Sequence, residues 1–437
     1  MDSTPIHQGP WFEHAALSDI GLRRANNQDS YAELVANTPE LWGRRGHLFM
    51  VADGMGAHAA GELASKMAVD TVPHTYNKLI EEPPAEAIRK AVEDANGKIH
   101  SRGQANLDFR GMGTTASVLL LLPDGALVAH VGDSRVYRLR GNRIEQLSFD
   151  HSLVWEIKAS RKMREEEIPS YFPKNIITRS LGPSPQVQVD LEGPFPLAEG
   201  DTFLLCSDGL SGQVTDEEMG VLLSVFSPQE AVRVLVDLAN LRGGPDNITV
   251  IVARVAAPPP ASTVAPLPVS QGASDAQRRR GWPSGLVVVG VALLAAVLLA
   301  LSQQPYAAAA SAAVAVLAGM VVMVRWLGGP GTAGQVIDGA RFGSGPHTSK
   351  TCLTNNAFVD KLAKVVDQLR EAATEENWAV DWNRFNSFDS RALAAAERKN
   401  YVEAVREYGH AISFMMQEIR GQRRKRANGQ EDHPSHG

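Results

Sequence analysis

Two cysteines, Cys206 and Cys352, are all that the 437 residues contain. That is too few for a disulfide framework and the wrong spacing for a zinc site, so the chain is expected in a reducing compartment. Excess basic charge is missing as well. A net charge of −6 leaves no electrostatic footprint for nucleic acid, which is therefore excluded as a partner. The opening MDSTPIHQGPWFEHAAL has no basic stretch followed by an apolar run, and no cleaved signal peptide is expected. From Gly281 to Val324 there is no charged residue at all. Since ~20 helical residues cross the ~30 Å hydrocarbon layer, this stretch reads as two membrane spans. They run roughly from Trp282 to Leu301 and from Tyr306 to Val324, turned by SQQP. Arg278, Arg279 and Arg280 precede the pair and Arg325 follows it, which places both flanks on the cytoplasmic side of the inner membrane. The lipid bilayer is thus an expected partner.

What is present organises the rest. Hydrophobic residues make up 44% of the chain, enough for at least one full core. Strand-like apolar runs occupy 48–53, 115–122, 126–132, 135–140, 202–207 and 248–255, many joined by Gly, Asp or Asn turns. Helical spacing marks 60–77, 84–103 and 228–241. Strands joined by short turns imply antiparallel sheets, and helices of this length must cover their outer faces. An α+β layered domain is expected over 11–255.

The composition then changes. Residues 256–280 carry Pro258, Pro259, Pro260, Pro266 and Pro268 with little charge before the arginine triplet, and read as a semi-rigid linker. After the transmembrane helices at 281–326 comes a Gly-rich connector, 327–350, and then a polar helical region, 351–426. Within that region Phe358, Leu362, Val365, Val366 and Leu369 share one helix face, and Val405, Tyr408, Ile412, Met415 and Ile419 share another. Phe388, Ala392, Tyr401, Ala404, Tyr408 and Ala411 are spaced as in one tetratricopeptide-type hairpin, although one unit makes no solenoid. An ordinary amphipathic pair explains the spacing as well. A protein partner for this tail is an open expectation.

Four apolar runs end in an aspartate beside a small or amide residue: Asp53 in VADGMGAH, Asp133 in VGDSR, Asp208 in CSDGL and Asp246 in PDNIT. Acids at the ends of buried strands can converge on one point. Converging carboxylates without sulfur or clustered histidine favour magnesium or manganese over zinc. Glycine after the acid, as at Gly54 and Gly209, lets a backbone carbonyl approach an ion. Two such cations can activate a water and stabilise a transferring phosphoryl group, so the chemistry expected is hydrolysis of a phosphate ester. Upstream, in SDIGLRRANNQDS, Arg24 offers a guanidinium for a phosphate dianion.

Taken in order, SDIGLRRANNQDS, VADGMGAHAAGELAS, GMGTTAS, VAHVGDSRVYRLR, LSFDHSLV, NIITRSLG, LLCSDGLSGQV and GGPDNITVIVARV resemble the motifs of the metal-dependent protein phosphatase 2C family, in its bacterial serine/threonine form. The resemblance runs from Trp11 to Val255. It implies two packed antiparallel β-sheets flanked by helices, and a substrate that is a phosphoserine or phosphothreonine protein, phosphorylated by a serine/threonine kinase. Carried over by position, it implies that Arg24 binds phosphate and that Asp53 bridges two divalent cations with the Gly54 carbonyl as a further ligand. It also implies that Asp208 and Asp246 complete the pair and that Asp133 helps hold a third, weaker metal. Asn247 would order its loop, and residues 151–180 would form a flap. The pattern departs at Ala57, where a glycine is usual, at Gln28, often a glutamate, and at Met55, where some members carry a histidine; His58 does not inherit that role. The alternative reading is a catalytically weak regulator or sensor that binds phosphoproteins through the same fold. Against it stands the joint presence of Arg24, Asp53, Asp208 and Asp246.

Overall fold

Apolar runs buried on both faces decide the architecture, because only a strand sandwiched between two layers needs every side chain apolar. The computed structural model describes residues 11–56, 59–161, 176–257 and 341–431. The chain begins with β1 (Phe12–Asp19), β2 (Asp29–Leu34), the short α1 (Pro39–Arg45) and β3 (His47–Met55). Two long helices follow, α2 (Ala60–Lys78) and α3 (Pro84–Ala105), then a run of strands: β4 (Gly113–Thr114), β5 (Ala116–Leu122), β6 (Gly125–Val131), β7 (Arg135–Arg140) and β8 (Arg143–Gln146). After α4 (Leu153–Arg161) come β9 (Asp190–Phe195), β10 (Thr202–Cys206), α5 (Asp208–Ser211), α6 (Asp216–Val225), α7 (Pro228–Leu241) and β11 (Ile248–Val255). The C-terminal part adds β12 (Thr348–Thr351), α8 (Asn356–Glu375), α9 (Trp382–Glu397) and α10 (Tyr401–Glu431).

All strand pairs are antiparallel. One sheet runs β1-β11-β10-β7-β8-β12; the other runs β2-β3-β5-β6-β9, with β4 paired to β3. Alternate residues of the central strands point to different cores. Leu119 and Leu121 of β5 meet Phe203 and Leu205 of β10 and Ile251 of β11 between the sheets. Val118 and Leu120 of β5 face outward onto α2 and α3, where Ala64, Val72, Ile88 and Val92 cover them. On the opposite outer face, Leu204 of β10 and Val250 of β11 are covered by α6 and α7. Both helices open with a complete capping box, Thr215 with Glu218 and Ser227 with Glu230, which fixes where each begins.

The C-terminal helices share this last core. Phe358, Leu362, Tyr408 and Ile412 belong to the same buried cluster as Phe226 and Val232. Residues up to 257 and from 341 onward form one compact unit, so the helical tail packs on the layered domain rather than following it as a separate body. Helices α9 and α10 bury Ala392, Ala404 and Tyr408, as either the tetratricopeptide-type hairpin or an ordinary amphipathic pair would. Residues 348–351, assigned from sequence to the Gly-rich connector, are instead an edge strand paired to β8, Thr348 opposite Gln146 and Thr351 opposite Arg143. TSKT carries no apolar signal because an edge strand is secured by its backbone ladder. Glu192 adds a polar latch, accepting from the Gly345 N–H at 2.8 Å and facing His347 Nε2 at 3.0 Å.

Among the described residues no helix is long and apolar enough to cross a membrane. The two spans expected at 281–326 lie outside the described residues, as do connector residues 327–340 and nearly all of the linker expected at 256–280.

Candidate active site

Three of the four acids flagged in the sequence stand where their strands leave the sandwich at one end. Asp53 lies near the end of β3 in one sheet, while Asp208 follows β10 and Asp246 precedes β11, neighbours in the other. The strand ends are locked. Thr115 Nα donates to the Asp53 carbonyl at 2.9 Å, and the Asp53 N–H donates to Thr115 Oγ1 at 2.8 Å. Gly54 has no room for a side chain: a Cβ there would fall 2.1 Å from the Gly61 carbonyl oxygen and 2.5 Å from that of Gln28. At Gly209 an added Cβ would lie 1.9 Å from the Asn247 carbonyl oxygen, so only glycine lets Asp208 and Asp246 approach.

A cavity of about 260 Å³ opens at this point, lined by Arg24, Gln28, Asp53, Gly54, Asp208 and Asp246, with Met55, Gly56 and Ile177 completing the wall. Arg24, nearly half exposed, sets Nη2 2.6 Å from Asp246 Oδ2. The structure therefore brings together all the expected site residues except Asp133. Asp133 lies in the turn between β6 and β7, close enough to Asp208 to feel its charge but outside the cavity wall. A larger, shallow depression of about 660 Å³ beside Met67 and Arg102 is floored by an Asp94–Lys98 ion pair at 2.9 Å and gathers no converging acids.

Electrostatics single out the same place. Burial, reinforced by Asp29, Asp208, Asp133 and Asp246, pushes the Asp53 carboxyl well above the usual carboxylate range. Burial and the neighbouring Asp208 raise Asp133 to about 7. Burial, with Asp246 adding to it, also raises Asp208. Like charges gathered out of water are costly unless a cation joins them. Buried Asp208 Oδ1 and Asp133 Oδ1 have no hydrogen-bond partner, which is what a carboxylate meant for a hard cation leaves unmatched. Among the described residues no group of three or more acid, histidine or cysteine side chains is already drawn together to the spacing of a metal cage. The donors, all hard oxygens, suit magnesium or manganese.

Two contributors escaped the sequence reading. Asp29, opposite Asp53 in the β2–β3 ladder, is buried; its carboxyl is raised to about 7, first by burial, against the Ser207 and Thr249 hydrogen bonds that lower it. Thr115 ties Asp53 to Ser134 through a 2.8 Å hydroxyl contact, beside the turn that carries Asp133. The signal for Asp29 was its place within NNQDS, one residue after Gln28. Asn247, expected to order its loop, does so: Oδ1 accepts from the Gln28 N–H at 2.8 Å, while Nδ2 donates to the carbonyls of Ile20 at 2.9 Å and Asn26 at 3.0 Å. The base of the expected flap is closed by Leu153 N–H to the Ile176 carbonyl at 2.9 Å and Thr178 N–H to that of His151 at 2.8 Å. Its middle, 162–175, and Ala57 and His58 lie outside the described residues.

Two antiparallel sheets between helical layers, with acids and an arginine converging at the strand ends, define a hydrolase of phosphate esters. Comparison with known proteins names it further. Residues 23–238 match the family model described as protein phosphatase 2C. Protein phosphatase PhpP of Streptococcus pneumoniae is 39% identical over 247 residues, 54% of this chain and 95% of that protein. Serine/threonine phosphatase stp of Listeria welshimeri is 39% identical over 241 residues, 54% of this chain and 92% of that protein. Among solved structures, the Streptococcus agalactiae serine/threonine phosphatase superposes with a TM-score of 0.50 at 36% identity, covering 56% of this chain and 100% of that one. Stp1 of Staphylococcus aureus gives 0.50 at 30%, covering 58% and 99%. The chain belongs to the protein phosphatase 2C family and is a protein-serine/threonine phosphatase.

Proposed function

We propose that this enzyme is a metal-dependent phosphatase held at the cytoplasmic face of the inner membrane, acting on phosphoserine and phosphothreonine in proteins modified by a serine/threonine kinase. One observation carries the reading: Arg24, Asp53, Gly54, Asp208 and Asp246 line a single cavity. Asp53 with the Gly54 carbonyl, Asp208 and Asp246 would hold two divalent cations, manganese or magnesium, and Asp133, close to Asp208, would share in a third. Ions bound there lower the pKa of a water and stabilise charge on a phosphoryl group. The side chains of the enzyme do the rest. Arg24, at the cavity mouth, presents a planar donor pair to phosphate oxygens and orients the ester. Met55 and Ile177 place apolar surface beside the acids, which limits competing water and strengthens each charge interaction.

The membrane-anchoring reading rests on the uncharged stretch from Gly281 to Val324, and the way the chain closes on itself limits its topology. Ala256 N–H bonds to the Trp11 carbonyl at 2.8 Å before the uncharged stretch, and Gly193 N–H bonds to the Phe342 carbonyl at 3.1 Å after it. Both flanks thus belong to one folded unit. Any crossings between them must be even in number, and the arginines at 278–280 and 325 favour the cytoplasm for both ends.

The test uses the full-length chain in detergent with a phosphothreonine peptide. Release of phosphate should require manganese, stop on chelation, and fall by at least ~10³-fold in Asp53→Asn and Asp208→Asn. Turnover undiminished in those variants would remove the acid cavity from the mechanism. In membranes the chain should resist extraction by carbonate; recovery in the supernatant would end the anchoring proposal.

A further inference from the structure

Arg24 sits on a loop, 20–28, that no helix or strand of its own supports. Asn247 holds its two ends, at Ile20 and at Asn26 and Gln28, and a second set of contacts holds the turn at Gly21. Asp19, the last residue of β1, accepts from the Gly21 N–H at 2.9 Å through Oδ1, and Asn240 Nδ2 of α7 donates to the same oxygen at 3.0 Å. Gly21, at φ +79°, lies so close to the other loop of the site that a Cβ would fall 2.1 Å from the Asp246 carbonyl oxygen. Leu22 N–H completes the seam, donating to the Gly244 carbonyl at 2.9 Å. Beside the Asn247 contacts, the loop with the phosphate-gripping arginine thus meets the loop with Asp246 at one small turn, on the side nearer Arg24, and Asp19 is the peg of that turn.

The second carboxylate oxygen of Asp19 faces a residue 401 positions away. Arg420, on α10, places Nη2 3.3 Å from Asp19 Oδ2 and Nη1 2.7 Å from Asp237 Oδ1 on α7. Asp19 and Asp237 are exposed by only 10% and 4%, so two like charges share a nearly dry site with this guanidinium between them. Without a cation there, the pair would repel, and the carboxylate holding Gly21 would turn toward water.

We infer that Arg420 is a positioning residue for Arg24: through Asp19 and Asp237 the C-terminal helix sets the turn at Gly21, and so the arginine that receives the phosphate. The inference rests on the proposed role of Arg24. A guanidinium suits the task because its two nitrogens address both carboxylates from one plane. Asp19 and Arg420 lie outside residues 23–238 that match the family model while Asp237 lies within them, and the contact joins the tail to the site by charge in addition to packing.

The test uses the full-length chain, with thermal unfolding run beside every variant. Arg420→Ala is expected to raise both the KM for a phosphothreonine peptide and the inhibition constant of inorganic phosphate roughly fivefold, while kcat at saturation stays within about twofold. Arg420→Lys, which keeps the charge but not the two-pronged reach, should recover part of that loss. In an Arg24→Ala background, Arg420→Ala should add nothing, because the effect passes through Arg24. If Arg420→Ala does not fold, Asp19→Ala carries the same expectation, since it removes the acceptor for Gly21 together with the carboxylate that faces Arg420. A folded variant with unchanged KM, or a rise that persists in full in the Arg24→Ala background, overturns the inference. Arg24→Ala alone separates the two readings. If it leaves phosphate inhibition untouched, the role of Arg24 fails and this inference falls with it; if it weakens inhibition and Arg420→Ala does not, this inference alone fails.

Discussion

Asp29 and Asp53 face each other across the β2–β3 ladder, two acids from adjacent strands, the first buried and the second opening onto the cavity. Asp29 Oδ2 accepts from the Ser207 hydroxyl at 2.7 Å, and its Oδ1 has no hydrogen-bond partner. Asp29 lies outside the cavity wall, yet its charge is the first after burial to raise Asp53. Asp29→Asn keeps the shape and the acceptor for Ser207 while removing one negative charge. The manganese concentration for half-maximal activity should rise about tenfold, as when a group supporting a ligand is lost. Thermal unfolding in chelator should move up or stay level, because one buried charge is gone. An unaltered manganese requirement would show that Asp29 contributes no field to the site.

Ile412 of α10 is completely buried in the cluster that also holds Phe226 of the layered domain. Ile412→Ala should therefore cost about 3 kcal/mol, as expected for a core truncation that leaves a cavity. The consequence for function is sharper than the number. Tail and catalytic sheets share one core, so the urea midpoint for loss of activity should fall together with the loss of helical signal. A tail that unfolded first, leaving activity at its original midpoint, would contradict a shared core.

How much of this was legible depended on which physical force holds each part. The runs at 48–53, 115–122, 126–132, 135–140, 202–207 and 248–255 emerge as β3, β5, β6, β7, β10 and β11, because strands buried on both faces write themselves as continuous apolar sequence. Helices α2, α3 and α7 were equally visible through the spacing of residues such as Ile88, Ala91 and Val92. Strand β12 was not, since Thr348, Ser349, Lys350 and Thr351 are held by pairing to β8 and not by burial. Within the site, Asp53, Asp208 and Asp246 announced themselves by flanking apolar strands beside glycine or asparagine. Asp29 begins a strand of mixed polarity, DSYAEL, and only its register opposite Asp53 exposes its place. Arg420 and Asp19 are 401 residues apart, and nothing local in either segment predicts their meeting.

Glu218 offers a pH test away from the cavity. Burial alone would raise its carboxyl, but hydrogen bonds from Arg242 and from Lys361 of α8, with the Thr215 N–H, hold it down at about 2, against 4.5 for the free group. A depressed folded value means that the stabilisation is complete above the unfolded value near 4.5 and is lost as pH falls through about 2. Glu218→Gln keeps the capping geometry with Thr215 but loses both ion pairs, so at neutral pH it should destabilise by at most about 3 kcal/mol. Urea unfolding from pH 7 to 2 should show the gap between the two proteins closing in the acid range. A gap that stays constant over that range would assign the loss to packing and not to charge.

Gly220 and Cys352 carry the last prediction. A Cβ on Gly220 of α6 would lie 2.1 Å from Cys352 Sγ, 3.0 Å from its Cβ and 3.3 Å from the Cβ of Ile144 on β8. Cys352, directly after β12, is thus wedged between a helix and a strand, and its N–H donates to the Asn142 carbonyl at 2.7 Å. In an open helix Gly→Ala would stabilise by up to ~1 kcal/mol, but here the new methyl must displace the thiol, at about 1–3 kcal/mol. Cys352→Ala on that background removes the sulfur yet leaves the 3.0 Å contact with Cβ, so recovery should be partial. The thiol itself reports the change: burial raises the Cys352 pKa to about 11, and displacement toward water should bring it down and speed its labelling by a disulfide reagent. Cys206, buried in β10, serves as the internal reference. A labelling rate for Cys352 in Gly220→Ala equal to that of the wild type would mean that β12 does not depend on this contact for its place at the sheet edge.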